Sequence, residues 1–159
     1  MSLILGVDPG AVSGAFAVLD SGTLLECDDL PTIASGKTRW VDSTLLSRLL
    51  ELKAGRPMLA AVERQSARPG QGVSSTFVSA TAYGSLLAVL QIAGCSIELI
   101  TAAKWKAALG LSADKQQSLD RARLLYPSAS LDRKRDHGRA ESILLAHYAF
   151  SLSLQRTNK

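Results

Sequence analysis

Leu3, Ile4, Leu5 and Val7 form a short apolar run that stops at Asp8, Pro9 and Gly10, which predicts a buried strand closed by a turn. Next, "SGAFAVLD" and "GTLLECDDL" meet at a Ser-Gly turn and predict a hairpin, so the first three strands form an antiparallel meander. Residues 31–39 read as a loop. From 41 to 53, Val41, Leu45, Leu46, Leu49 and Leu52 fall at helical spacing. "PMLAAVE" is a strand that ends in Glu63. The glycine-rich "RQSARPGQGVSS" then leads into a helix capped by Ser74 or Ser75 and running to about Ala93. "CSIELI" predicts a fifth strand, and helices follow at 102–109, 114–125 and 138–154.

This order predicts an α/β architecture of the ribonuclease-H-like kind, formed by one domain over residues 1–159. A mixed five-stranded sheet, three antiparallel strands and then parallel ones, is flanked by helices on both faces. The first and fourth strands lie side by side in such a sheet, which brings Asp8 next to Glu63. The pairing matters because a buried carboxylate is costly unless it is paired or holds a metal. Taken alone, Asp8-Pro9-Gly10 reads equally well as a simple turn.

Composition narrows the class. The chain has 159 residues, 47% of them hydrophobic and 20% charged, enough for a real core. No uninterrupted apolar stretch reaches the roughly 18 residues of a membrane helix, so no membrane partner is expected. The first apolar run has no basic region before it, which argues against a signal peptide. Cys27 and Cys95 are too few for a disulfide framework or a zinc site. The expected location is the cytoplasm or another intracellular compartment, organellar or phage-encoded sources included.

The net charge of +4 is unevenly spread. Between Thr101 and Arg139 nine basic residues face four acids, so this segment carries +5 and the rest of the chain −1. A localised basic field suits a polyanion. With eight aromatic residues in all, contact with a phosphate backbone is a better fit than base stacking.

Four stretches, "LGVDPGAVSGAFAVLD", "AAVERQSARPGQGVSSTF", "WKAALGLSADKQQSL" and "DHGRAESILLAHY", resemble the RuvC-type Holliday-junction resolvases, nearest to their phage-type and organellar branch. The resemblance implies a homodimeric endodeoxyribonuclease that resolves four-way DNA junctions by paired symmetric nicks. It implies Mg²⁺ as cofactor, with Mn²⁺ able to substitute, and no small-molecule cofactor. Two such ions roughly 3.5–4 Å apart can serve both the attacking and the leaving oxygen of an in-line displacement. By resemblance, Asp8 bridges the ions, Glu63 binds one and Glu141 completes the cluster. Relatives usually carry an aspartate four residues before that glutamate. Here His137 holds that position and Asp136 precedes it, so either is a candidate fourth ligand, with Asp136 preferred because oxygen suits magnesium.

The same resemblance puts Lys115 at the scissile phosphate, with Lys104 and Lys106 on the backbone nearby. Arg139 is placed to bind phosphate or to neutralise Glu141. The loop residues Arg68, Gln71, Ser74 and Ser75 face the junction, and Phe77 either wedges against unstacked bases or belongs to the core. Gly84 and the apolar run after it are a candidate dimer contact. Two other readings keep the fold: a broader branched-DNA nuclease or RNA-processing relative, and a junction-binding module whose metal site has decayed.

Overall fold

A computed structural model describes residues 3–157. The order is β1 (Leu3–Asp8), β2 (Ala15–Asp20), β3 (Thr23–Asp29), β4 (Thr32–Ser35), β5 (Thr38–Val41), α1 (Thr44–Lys53), β6 (Met58–Glu63), α2 (Val73–Ile92), β7 (Ser96–Ile100), α3 (Ala102–Ala108), α4 (Lys115–Leu125) and α5 (His137–Thr157). Five strands make one sheet in the order β3-β2-β1-β6-β7. The β1–β2 and β2–β3 pairs are antiparallel, whereas β1–β6 and β6–β7 are parallel. The mixed five-stranded sheet read from the sequence is present, with the first and fourth of its strands adjacent.

Strand alternation assigns the two faces. Leu3, Leu5 and Val7 of β1 and Met58, Ala60 and Val62 of β6 join Leu45, Leu49, Leu86 and Leu90 on the α1/α2 side. Ile4 of β1 and Ala61 of β6 point the other way, into a core with Trp105, Leu119, Ile143 and Leu144 from α3, α4 and α5. By the same parity Asp8 and Glu63, the last residues of their strands, face α5.

Helix α5 lies against β1 with almost no side chain between them. A Cβ on Gly6 would fall 2.1 Å from the Ser142 carbonyl oxygen and 2.6 Å from the Ala146 amide nitrogen. Glycine inside an apolar strand is the mark of such a close backbone approach.

The expected loop at 31–39 is instead a hairpin, β4–β5, paired from Thr32↔Val41 to Ser35↔Thr38. It leans on α2, where the Ser85 hydroxyl accepts a hydrogen bond from the Val41 amide at 2.9 Å. Helix α1 accordingly begins at Thr44 rather than at residue 41. The N-cap of α2 is Gly72, with no side-chain cap, which displaces Ser74 and Ser75 from that role into the first turn. Helix α2 also departs from the expectation about membrane spans, being long and apolar enough to cross a bilayer by length and composition alone. Ala82, Leu86 and Leu90 nevertheless bury one of its faces against the sheet. Both cysteines are free.

Candidate active site

The parallel register sets Val7 beside Val62, so the strand ends carry Asp8 and Glu63 out of the sheet together. Glu141 arrives from the second turn of α5. Burial is the largest influence on Asp8, and the charges of Glu141 and then Glu63 add to it, pushing its carboxyl up to about 7. A hydrogen bond from the Gly10 backbone and the Lys115 ammonium pull in the opposite direction without prevailing. Glu63 is also raised, first by burial and also by Glu141, against a hydrogen bond from Trp105. Asp8 therefore feels the charge of both glutamates in a place where water is scarce.

Helix α3 supplies a partner to each glutamate. The indole Nε1 of the fully buried Trp105 donates to Glu63 Oε2 at 3.1 Å. Lys106 Nζ donates to Glu141 Oε1 at 2.6 Å and lies 5.2 Å from the centre of the Trp105 ring. Lys106 was expected on the DNA backbone. Its side chain is only 16% exposed and is held inward by this pair. Trp105 escaped the sequence reading, although a tryptophan between two lysines in a short helix was its signal.

Two glycines pack closely around Asp8, Gly138 from α5 and Gly14 from the turn after β1. A Cβ on Gly138 would lie 2.3 Å from the Ser13 carbonyl oxygen and 3.2 Å from Asp8 Oδ2. One on Gly14 would lie 2.9 Å from the Asp8 carbonyl oxygen. The sequence reading singled out neither.

Asp136 and Arg139 are not where they were expected. Asp136 is buried, with its Oδ2 accepting from the Arg133 backbone amide at 2.8 Å and its Oδ1 from Arg133 Nε at 2.6 Å. Burial alone would raise its carboxyl, but the Arg133 contacts outweigh that and lower it. Both oxygens of Asp136, the preferred candidate for the fourth ligand, are thus engaged by Arg133. Its backbone carbonyl accepts from Ala140 and starts α5. Arg139 donates to Asp29 at 2.7 Å and also to Asp28, so it is committed to β3 rather than to phosphate or Glu141. His137, by contrast, lies beside the site, its Nδ1 3.3 Å from the carbonyl oxygen of Lys115. It shares a helical face with Glu141 four residues on.

Lys115 opens α4 with its side chain exposed and close enough to Asp8 to act on its charge. Lys104 is exposed on α3. Beyond Glu63 the chain turns at Arg68 and Gln71, with Gln71 Oε1 accepting from the Arg68 amide at 3.2 Å. This turn and α2 enclose a cleft of about 610 Å³ lined by Gln65, Arg68, Gln71, Thr76 and Tyr83. Phe77 is 63% exposed, which removes the core reading. Ser74 and Ser75 are exposed as well.

Among the described residues, no group of three or more His, Cys, Asp or Glu side chains is drawn closely enough together to hold a metal ion. By chemistry the donor set suits one: Asp8, Glu63 and Glu141 offer oxygen only, and burial together with neighbouring charge raises the carboxyls of Asp8 and Glu63, a repulsion that a divalent cation relieves.

No family model matches the chain. It aligns over 98% of its length with the RuvC of Thermus thermophilus in complex with a Holliday junction substrate, covering 97% of that chain with a TM-score of 0.68 and 20% identity. The fold is that of RuvC. A second Thermus thermophilus RuvC structure gives a TM-score of 0.65 at 21% identity, with 96% of each chain covered. In sequence, the chain is 35% identical over 92 residues to the chloroplastic Holliday junction resolvase MOC1 of Chlamydomonas reinhardtii. That match takes in 55% of this chain and 10% of MOC1.

Proposed function

We propose that this chain is a metal-dependent endonuclease that resolves four-way DNA junctions by paired nicks, working as a homodimer. The observation that carries the reading is buried Asp8 under the charges of Glu141 and Glu63, with exposed Lys115 close by, on a fold shared with RuvC. The junction substrate of the Thermus protein and the name of the chloroplast relative support the substrate class.

Asp8, Glu63 and Glu141 would hold the metal, with His137 as the fourth donor in place of Asp136. Mg²⁺ suits the carboxylates, and an imidazole donor favours Mn²⁺. When bound, the metal supplies positive charge to the phosphodiester and acidifies an attacking water. The chain's own residues do the rest. Burial of Asp8 keeps competing water away. Lys115, exposed beside Asp8, meets the scissile phosphate. Lys104, Arg68, Ser74 and Ser75 contact the flanking backbone, and Gln71 and Phe77 face the opened bases.

A second copy would cover the exposed side of α2, where Gly84 and Ala88 allow close approach and Ile92 is 70% exposed. A two-fold dimer with one site per subunit matches a two-fold junction. As with the chloroplast relative, an intracellular compartment is the proposed place of action.

The test is nicking of a labelled four-way junction, with and without Mg²⁺ or Mn²⁺, beside Y-forks, flaps and RNA duplexes. Paired, metal-dependent cuts across the junction are expected. Equal cutting of forks would make it a broader nuclease, and binding without cutting would make it a junction-binding module. His137→Ala should cut activity far more than Asp136→Asn cuts it in protein that remains folded. The reverse order would overturn the ligand assignment.

A further inference from the structure

We propose that Lys106 is a built-in counter-ion for the carboxylate site, holding Glu141 in the metal-free protein and competing with the incoming metal. The inference rests on the metal-site reading above and concerns how that site is kept until it is used.

Several observations lead to it. Lys106 Nζ sits 2.6 Å from Glu141 Oε1, and both side chains are largely shielded from water, 16% and 12% exposed. The pair is therefore not one of the solvent-screened surface bridges that contribute little. It joins α3 to α5 across 35 residues, and no local spacing enforces it. The ammonium is steadied from a second side by the Trp105 ring, 5.2 Å from Nζ to the ring centre. Trp105 itself is locked, fully buried, with its N–H on Glu63. One short helix thus satisfies the two glutamates and gives nothing to Asp8. An ammonium and a divalent cation cannot share one carboxylate at close range without repelling each other. Loading the site must therefore release Lys106, which lies in the segment richest in basic residues and is then free to meet phosphate. The free protein is stabilised at a cost in metal affinity, and DNA, by attracting the released lysine, favours the loaded state.

Titration calorimetry with Mg²⁺ alone, without DNA, and thermal melting of the metal-free protein test this together. Lys106→Met removes the charge and keeps the chain length. It should bind Mg²⁺ about tenfold more tightly than the wild type, because the competitor is gone. Its metal-free melting temperature should fall, and its Mg²⁺-induced rise in melting temperature should grow. Lys104→Met, which removes the same charge from an exposed position on the same helix, should stay within about twofold of the wild type, since a solvated charge acts weakly at that range. Lys106→Arg keeps the pair and should bind Mg²⁺ no more tightly than the wild type, which preserves the test if Lys106→Met does not fold. Equal, measurable Mg²⁺ affinity in Lys106→Met and wild type would overturn the counter-ion role and leave the metal site standing. Absence of Mg²⁺ binding in both would overturn the two together. Weaker binding in Lys106→Met would also overturn the proposal, because the lysine would then be supporting the site.

Discussion

Two clusters of aspartate and glutamate flank the start of α5, and they are built on opposite principles. On the β3 side, Asp28, Asp29 and Asp136 are matched by Arg133 and Arg139, with Asp29 accepting from both guanidiniums. Hydrogen bonds from Arg139 and then Arg133 hold the Asp29 carboxyl below its usual range. On the β1 side, Asp8 has no such arginine, and burial together with Glu141 and Glu63 pushes it up to about 7. One cluster is complete as an ion network, and the other has too much negative charge for its surroundings. Both consist of carboxylates near one helix end, so proximity alone does not identify a functional site. The balance of charge is what separates the two clusters.

Exchange of one aspartate for asparagine on each side should separate the clusters most clearly. Asp8→Asn is expected to lower junction cleavage by about a thousandfold or more, since it would take one carboxylate from the proposed metal site. The same change should raise the melting temperature of the metal-free protein, because a buried, repelled charge is gone. Cleavage at the wild-type rate would break the assignment.

Asp136→Asn should do the opposite to stability. Removing one partner from a buried, arginine-bonded carboxylate costs about 3 kcal/mol, read as a shift in the urea midpoint. Cleavage in the protein that remains folded should fall much less than in Asp8→Asn.

The pH dependence of stability should also run in opposite directions. Asp8 is raised from 3.8 to about 7 in the folded state, so the metal-free fold keeps a proton that the unfolded chain releases. Its contribution is full below the ordinary carboxylate value and fades as pH rises towards about 7. Asp29 and Asp136 are lowered, so theirs is present above the ordinary value and is lost as pH falls through the folded one. Urea midpoints between pH 3 and pH 8 should show Asp8→Asn losing the decline towards neutrality, about as many pH units wide as the shift itself. An unchanged decline in Asp8→Asn would mean another group carries it.

The smallest effect should come from Asp28→Asn. Asp28 is an exposed member of the arginine network, and its loss should change stability by less than about 1 kcal/mol, as surface pairs do. A loss as large as that of Asp136→Asn would show that the network acts as one unit.

The strands that carry Asp8 and Glu63 were legible in the sequence as short apolar runs ending in a carboxylate, and their adjacency followed from the ribonuclease-H-like order of elements. The β4–β5 hairpin was not, since "TIASGKTRWV" lacks strict alternation and owes its shape to α2, through Ser85 on the Val41 amide. The sequence left Asp136 and His137 as alternatives, and the side chain that holds Asp136 is Arg133, three residues before it. Helical spacing put His137 and Glu141 on one face, but only the fold brings Arg133 and Arg139 onto Asp29 of β3 and so fixes Asp136. Lys106 read as one basic residue among nine, because its pairing with Glu141 is made between helices that no periodicity relates.

The contact at Gly6 has a consequence for how this protein could be altered. Because a main-chain carbonyl and amide of α5 sit directly over the β1 backbone, the separation between Glu141 and Asp8 is indifferent to the sizes of the core side chains around them. Repacking that core with larger or smaller apolar residues should leave the spacing untouched, whereas Gly6→Ala should shift the helix. Truncating Ala146, whose Cβ would lie 2.9 Å from the new methyl, cannot undo that shift, since the two nearer atoms, the Ser142 carbonyl oxygen and the Ala146 amide nitrogen, are backbone. Gly6 should therefore resist second-site suppression in a way that the surrounding leucines do not.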